Sequence, residues 1–211
     1  MPVASRPNLT RVVRAVIRDA ASRLPEFSHI KASRVLVVVG EARRASWATV
    51  RPLGPSKTRR RPVVRIKGRQ MLYLITLRPR FFRVATPEKR IETILHELFH
   101  ISRRFDGSLH RGRRHGSKKG AFEARLKPIV GRYLEAMPRE LRDALSINGI
   151  VMARQWLEKP GPSVKLKNGD ERPNGRSVYT EKHLFVGPVQ MITRRSRVEG
   201  RESRVDGRRA R

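Results

Sequence analysis

The run His96-Glu97-Leu98-Phe99-His100 sets two imidazoles four residues apart, with a carboxylate directly after the first. On an α-helix, residues four apart lie one above the other on a single face, so His96 and His100 can present two ring nitrogens to one metal ion. Glu97, beside them, can take a proton from a water that the metal polarises, without being a ligand itself. That division of labour is what a metallohydrolase needs, and zinc is the ion such a donor set suits. The plainer reading is a surface helix with polar residues on one side and a core stripe on the other. Against it stands the clustering of histidines: of six in the chain, His96, His100, His110 and His115 fall within a few turns, and only His29 and His183 lie elsewhere.

Two histidines do not close a catalytic zinc site, which needs a third protein ligand and leaves a fourth position open. Asp106 stands at the distance from His100 that metzincins use, but Arg103 occupies the place where those enzymes need a helix-breaking Gly. His110 and His115 lie beyond a turn expected at Asp106-Gly107, and either can fold back onto the helix. His115 is the preferred third ligand.

The wider run HELFHISRRFDGSLHRGRRHGSKKGAFEARL resembles the zinc metallopeptidases of phage, bacterial and archaeal genomes, which are distant relatives of the SprT-like proteases. The resemblance rests on His96, Glu97, His100, Phe105, Asp106, Gly107, Gly112, Arg113, His115, Ser117, Lys119 and Phe122. It covers about the middle fifth of the chain. In SprT-like proteins a Gly and then an aromatic follow the third His; His115-Gly116 fits, while Phe122 comes later. The resemblance implies a zincin and, joined to the basic surface, proteolysis near DNA or RNA, as SprT-like enzymes carry out on protein bound to DNA.

The elements that must position these residues follow in order. Asn8 is placed to cap a helix from Leu9 to Leu24, with Leu9, Val12, Val13, Val16, Ala20 and Leu24 as its core stripe and Pro25 as its stop. Arg34 to Val39 reads as a buried strand, and Glu41 to Val50 as a second strand or a turn. Leu53 to Pro62 reads as a loop whose Arg59, Arg60 and Arg61 are candidate contacts to a nucleic-acid backbone. Val63 to Ile66 and Met71 to Leu77 look like a hairpin, and its edge is the expected place for a substrate cleft, since zincins pair an extended peptide with a strand beside the metal helix. Thr86 as N-cap, Pro87 at the first helical position and Glu88 in the first turn open the metal helix. Its core stripe is Ile91, Ile94, Leu95, Leu98 and Ile101. Ser117 is expected to cap a further helix, which Pro128 should kink or split.

From Ile147 the character changes to short strands, at Ile150 to Leu157, Val164 to Lys167, Arg176 to Tyr179 and Leu184 to Ile192, punctuated by Pro and Gly clusters. Trp156, Tyr179 and Phe185 are either core aromatics or stacking platforms for bases. Arg194 to Arg211 is an Arg-rich stretch of low complexity, expected to be disordered, and its Arg194, Arg195 and Arg197 are further nucleic-acid candidates. The expected class is α+β: a zincin-like domain over residues 1–146, a β-rich extension over 147–193 and a basic tail over 194–211.

The chain has 211 residues, of which 49 are Lys or Arg and 18 Asp or Glu, for a net charge of +31. Such a surplus draws polyanions, because neutralising phosphates releases condensed counterions, so nucleic acid is the expected second partner beside a peptide substrate. No apolar run is long enough to span a membrane, and a cytoplasmic location is expected. The N-terminal arginines do overlap in character with organellar transit peptides. The absence of Cys excludes disulfides, thiol nucleophiles and cysteine-ligated zinc. Two functions of different class are therefore open: a zinc peptidase working near nucleic acid, or a non-catalytic nucleic-acid-binding protein with a structural metal. Glu97 separates them, because a structural site has no use for a carboxylate beside its ligands. A nuclease is weaker, as no acid cluster is present to hold two metals.

Overall fold

A computed structural model of the chain describes residues 6–43, 46–54, 59–110, 119–161, 164–165 and 178–191. Helix α1, Leu9–Arg23, starts where the Asn8 side chain accepts the Arg11 amide, and its stripe of Leu9, Val13, Val16, Ile17 and Ala20 is buried. The chain then enters strand β1, Val35–Val39, and after a loop β2, Ala48–Pro52. A two-residue strand β3, Arg59–Arg60, precedes β4, Val63–Ile66, and β5, Arg69–Gln70. Strand β6, Tyr73–Leu77, feeds a short helix α2, Pro79–Arg83, and then α3, Pro87–Phe99. Helices α4, Lys119–Ala136, and α5, Arg139–Ser146, follow. The last strands are β7, Gly149–Trp156, β8, Val164–Lys165, β9, Val178–Tyr179, and β10, Leu184–Met191.

The class is mixed α+β. Its centre is a five-stranded sheet in the order β10-β7-β1-β6-β2, in which β1 runs parallel to both neighbours while β10 and β2 are antiparallel edges. Parallel pairing of β1 and β6 buries both faces of each, and the sequences VLVVV and YLITL are accordingly apolar almost throughout. One face of the sheet packs on α1 and α3 around Val16, Ile17, Val37, Ile75, Ile94 and Leu98. The other carries a smaller cluster that includes Leu36, Val38, Val64 and Leu74. Strands β7 and β10 extend this same sheet, so residues 149–156 and 184–191 are built onto its far side, while β8 pairs with β3 and β9 with β4. Trp156 and Tyr179 pack together against the smaller cluster, with ring centroids 6.3 Å apart, whereas Phe185 is exposed.

The expected hairpin takes a different form. Strand β4 turns back through Lys67 and Gly68, both at positive φ, to pair with the short β5 on one side, while β9 pairs with it on the other; β6 then leaves for the main sheet, between β1 and β2. An interior strand has no edge to offer a peptide, so the edge beside the metal helix is β2. Helix α4 runs unbroken through Pro128. Pro128 and Ala124, whose carbonyl loses its helical partner to the ring, are both exposed, so water can take that hydrogen bond.

Candidate metal centre and cleft

Helix α3 begins as its sequence dictates, with the Thr86 hydroxyl accepting the Lys89 amide at 3.2 Å and Pro87 in the first turn. Ile91, Ile94, Leu95 and Leu98 are fully buried and fix the rotation of the helix, which turns His96 and His100 to the other side. His100 caps the helix with backbone dihedrals still close to helical, so the four-residue spacing holds through it. The two Nε2 atoms stand 3.3 Å apart. Two nitrogens, each about 2.0–2.1 Å from one tetrahedral zinc, stand about 3.3–3.4 Å from each other. The pair therefore fits a shared metal ion.

Phe122 of α4 closes the apolar side of the pair. Its ring stacks on His100 and meets His96 edge to face, each at 4.9 Å between centroids. The sequence aligned Phe122 with a family position and with the apolar spacing of the helix after His115, without pointing it at the histidines; its distance from them in the chain hid the contact.

Beyond His100 the chain doubles back. Ser102 N–H donates to Ser108 C=O, His110 N–H donates to His100 C=O at 2.8 Å, and Ile101 bridges Leu109. The tip is the expected Asp106-Gly107 turn, where one Asp106 carboxylate oxygen accepts both the amide and the hydroxyl of Ser108. Those bonds hold its acid below the usual range. Asp106 thus forms the turn. Gly107, at φ +80, lies against Gly54 so closely that a Cβ on it would meet Gly54 Cα at 2.3 Å. Arg61 pins the two loops by donating to the carbonyls of both glycines, and the Tyr73 hydroxyl accepts the Gly107 amide and donates to Ser108 C=O. Arg61, a nucleic-acid candidate from sequence, holds the end of β2 to the turn behind the metal helix. Arg60 sits in β3, opposite Val164.

Glu97 is buried, and this pushes its carboxyl up to about 7; an amide hydrogen bond from Val50 of β2 and the nearby Arg78 cation oppose the shift. Arg78, itself buried, donates to the Glu41 carbonyl and the Thr49 hydroxyl, so one guanidinium braces β2 and faces the carboxylate. The only hint of this in sequence is a cation directly after an unbroken apolar strand. A cleft of about 630 Å³ lies between β2 and α3. Ser46 to Val50 form one wall, Glu92, Thr93, His96, Glu97 and His100 the other, and Leu109 and Glu123 close one end. In the register of β2 on β6, Thr49 and Arg51 bond inward, which turns the Ala48 amide and the Val50 carbonyl toward the cleft.

Among the described residues no third His, Cys, Asp or Glu joins His96 and His100 as a metal-binding group. His115 falls outside the described residues, as do Gly112, Arg113, Ser117, Arg194, Arg195 and Arg197; of Arg59 only the backbone is described. The described chain flanks the stretch 111–118 with two contacts to the site, His110 bonded to His100 and Phe122 against both imidazoles.

A model of the family described as "Putative phage metallopeptidase" matches residues 4–143. No curated protein and no solved structure matches the chain. The matched span runs from before α1 to the middle of α5 and contains the whole cleft, and the chain belongs to this phage metallopeptidase family.

Proposed function

We propose that this family member is a zinc-dependent peptidase acting near nucleic acid, with His96, His100 and His115 holding the metal and Glu97 as general base. The observation that carries the reading is the convergence of the two Nε2 atoms at 3.3 Å beside a buried carboxylate facing a strand edge. Zinc bound there would lower the pKa of a water toward neutrality and polarise the scissile carbonyl. The remaining chemistry belongs to the chain. An extended peptide adds to β2 through the Ala48 amide and the Val50 carbonyl, which lays its backbone along the cleft past the imidazoles. Glu97 takes the proton of the attacking water and passes it to the leaving amine, serving first as general base and then as general acid. The Val50 amide and Arg78 hold its orientation.

His115 is favoured as third ligand because the described residues on either side of 111–118 reach the site, His110 through His100 and Phe122 against both imidazoles. Asp106 is occupied in its turn. The charge of +31 supports nucleic acid as the setting of the reaction. Elemental analysis of purified variants tests the ligand set: about one zinc per chain in the wild type and in Glu97→Gln, and loss of zinc in His96→Ala and His100→Ala. His115→Ala should weaken zinc far more than His110→Ala or Asp106→Asn, and the reverse ranking would move the site.

A further inference from the structure

A second concavity, larger than the metal cleft at about 860 Å³, is lined by Arg11, Arg14 and Arg18 of α1, Lys67 and Arg69 of the β4–β5 turn, and Arg154 of β7. Among the described residues no Asp or Glu lines it. It opens at a seam in the main sheet. Among the described residues β1 and β7 pair only at Val39 opposite Gln155, while Asn8, at the head of α1, takes up pairing with β7 at Met152. Arg154 N–H is bonded to the Thr10 hydroxyl, which fixes this cation beside the helix. Arg11, Arg14 and Arg18 recur at helical spacing and form a stripe opposite the buried one.

Arg14, Arg18 and Arg154 repel one another. The Arg14 guanidinium is held below its usual range by burial and by Arg154 and Arg18, and its Nε is buried with no hydrogen-bond partner among the described residues. Glu181 stands at the edge of this cluster: its oxygen accepts the Lys67 amide at 2.8 Å, and it feels Lys67 and Arg154. Among the described residues, one acid against six cations leaves a strong positive field in a concave, low-dielectric wall, where such fields are focused.

We propose that this groove binds the phosphate backbone of a nucleic-acid strand. A row of phosphates supplies the repeated acceptors that the stripe and Arg14 lack, and a strand can enter a groove whose walls keep a flat bilayer surface off the inner cations. The proposal names the surface behind the nucleic-acid part of the function given above and rests on that part alone, since none of its residues belongs to the metal cleft.

The test uses the zinc-loaded full chain with labelled mixed-sequence DNA and RNA, single-stranded and duplex, over a salt series. Arg11→Gln, Arg14→Gln and Arg18→Gln together should weaken binding at least tenfold and lower the log-log salt slope by about 2 on single strands, given about 0.7 per phosphate contact. Arg125→Gln, Lys127→Gln and Arg139→Gln, exposed cations on α4 and α5, remove the same charge elsewhere and should cost far less. Equal losses in the two triples would overturn the groove in favour of diffuse attraction. Because the chain has no Cys, Ser33→Cys in the groove lining takes a single fluorophore. Its emission should respond to DNA or RNA and not to phosphatidylserine–phosphatidylcholine vesicles; silence with nucleic acid, or a response to vesicles alone, refutes the proposal. Preference for DNA over RNA, or the reverse, would identify the strand. Zinc content and peptide hydrolysis should be unchanged in the groove triple, so failure here leaves the metal reading standing and failure of the metal reading leaves the groove.

Discussion

At the scale of single residues, Glu97 sets the behaviour of the cleft. Its folded pKa of about 7 lies above the ordinary glutamate value of about 4.3, so the folded chain holds a proton that the unfolded chain releases first. Below about pH 4.3 both states are protonated and Glu97 has no effect on folding; as pH rises toward 7 the folded state pays a growing penalty, which is complete above it. In metal-free protein the stability of the wild type should therefore fall, relative to Glu97→Gln, by about 2–4 kcal/mol across that window. Urea unfolding at several pH values checks this, and a constant difference would mean that burial does not perturb the carboxyl. The placement of His96, Glu97 and His100 side by side on one helix was legible in the sequence because helical periodicity is strict over one turn. Arg78 and Phe122 were not, since their importance comes from contacts across the fold that spacing does not encode.

At the scale of elements, helix α3 is held at both ends. Arg90, fully buried in it, donates to the carbonyls of Phe81, Phe82 and Leu145, joining α2, α3 and the end of α5; burial lowers its pKa to about 10. Arg90→Met leaves those carbonyls without donors and should destabilise by about 2–4 kcal/mol in chemical denaturation. Behind the helix, Gly107→Ala forces a side chain onto Gly54 at positive φ, and should lower stability by about 1–3 kcal/mol and weaken zinc binding. Gly131→Ala in α4 meets open space and should instead add up to about 1 kcal/mol, so the pair separates a close approach from simple helix propensity. The caps at Asn8 and Thr86 and the buried strands β1 and β6 were readable from local pattern. The edge strand β2 was only half legible, within a stretch Glu41 to Val50 read as a strand or a turn: five residues of mixed burial carry a weak alternation, and which strand becomes the edge is decided by the pairing of β6 with β1.

At the scale of the whole molecule, +31 of net charge on 211 residues is a self-repulsion as well as a lure for polyanions. The melting temperature of the free protein should therefore rise as salt is increased from about 0.05 to 0.3 M, while nucleic-acid affinity falls over the same range. A melting temperature that ignores salt would mean that the charges are compensated locally. Among the described residues no helix is long and apolar enough to cross a membrane. The charge was plain in the sequence, but the groove that gathers six of its cations was not, because α1, β7 and the β4–β5 turn meet only in three dimensions. The metal cleft stands apart from that surface, and its chemistry is tested most directly by the rate at which zinc-loaded protein cleaves a denatured protein substrate, wild type against Glu97→Gln at matched zinc content. The account predicts full zinc in both and a rate at least about 100-fold lower in the variant. Equal rates at equal zinc would contradict it.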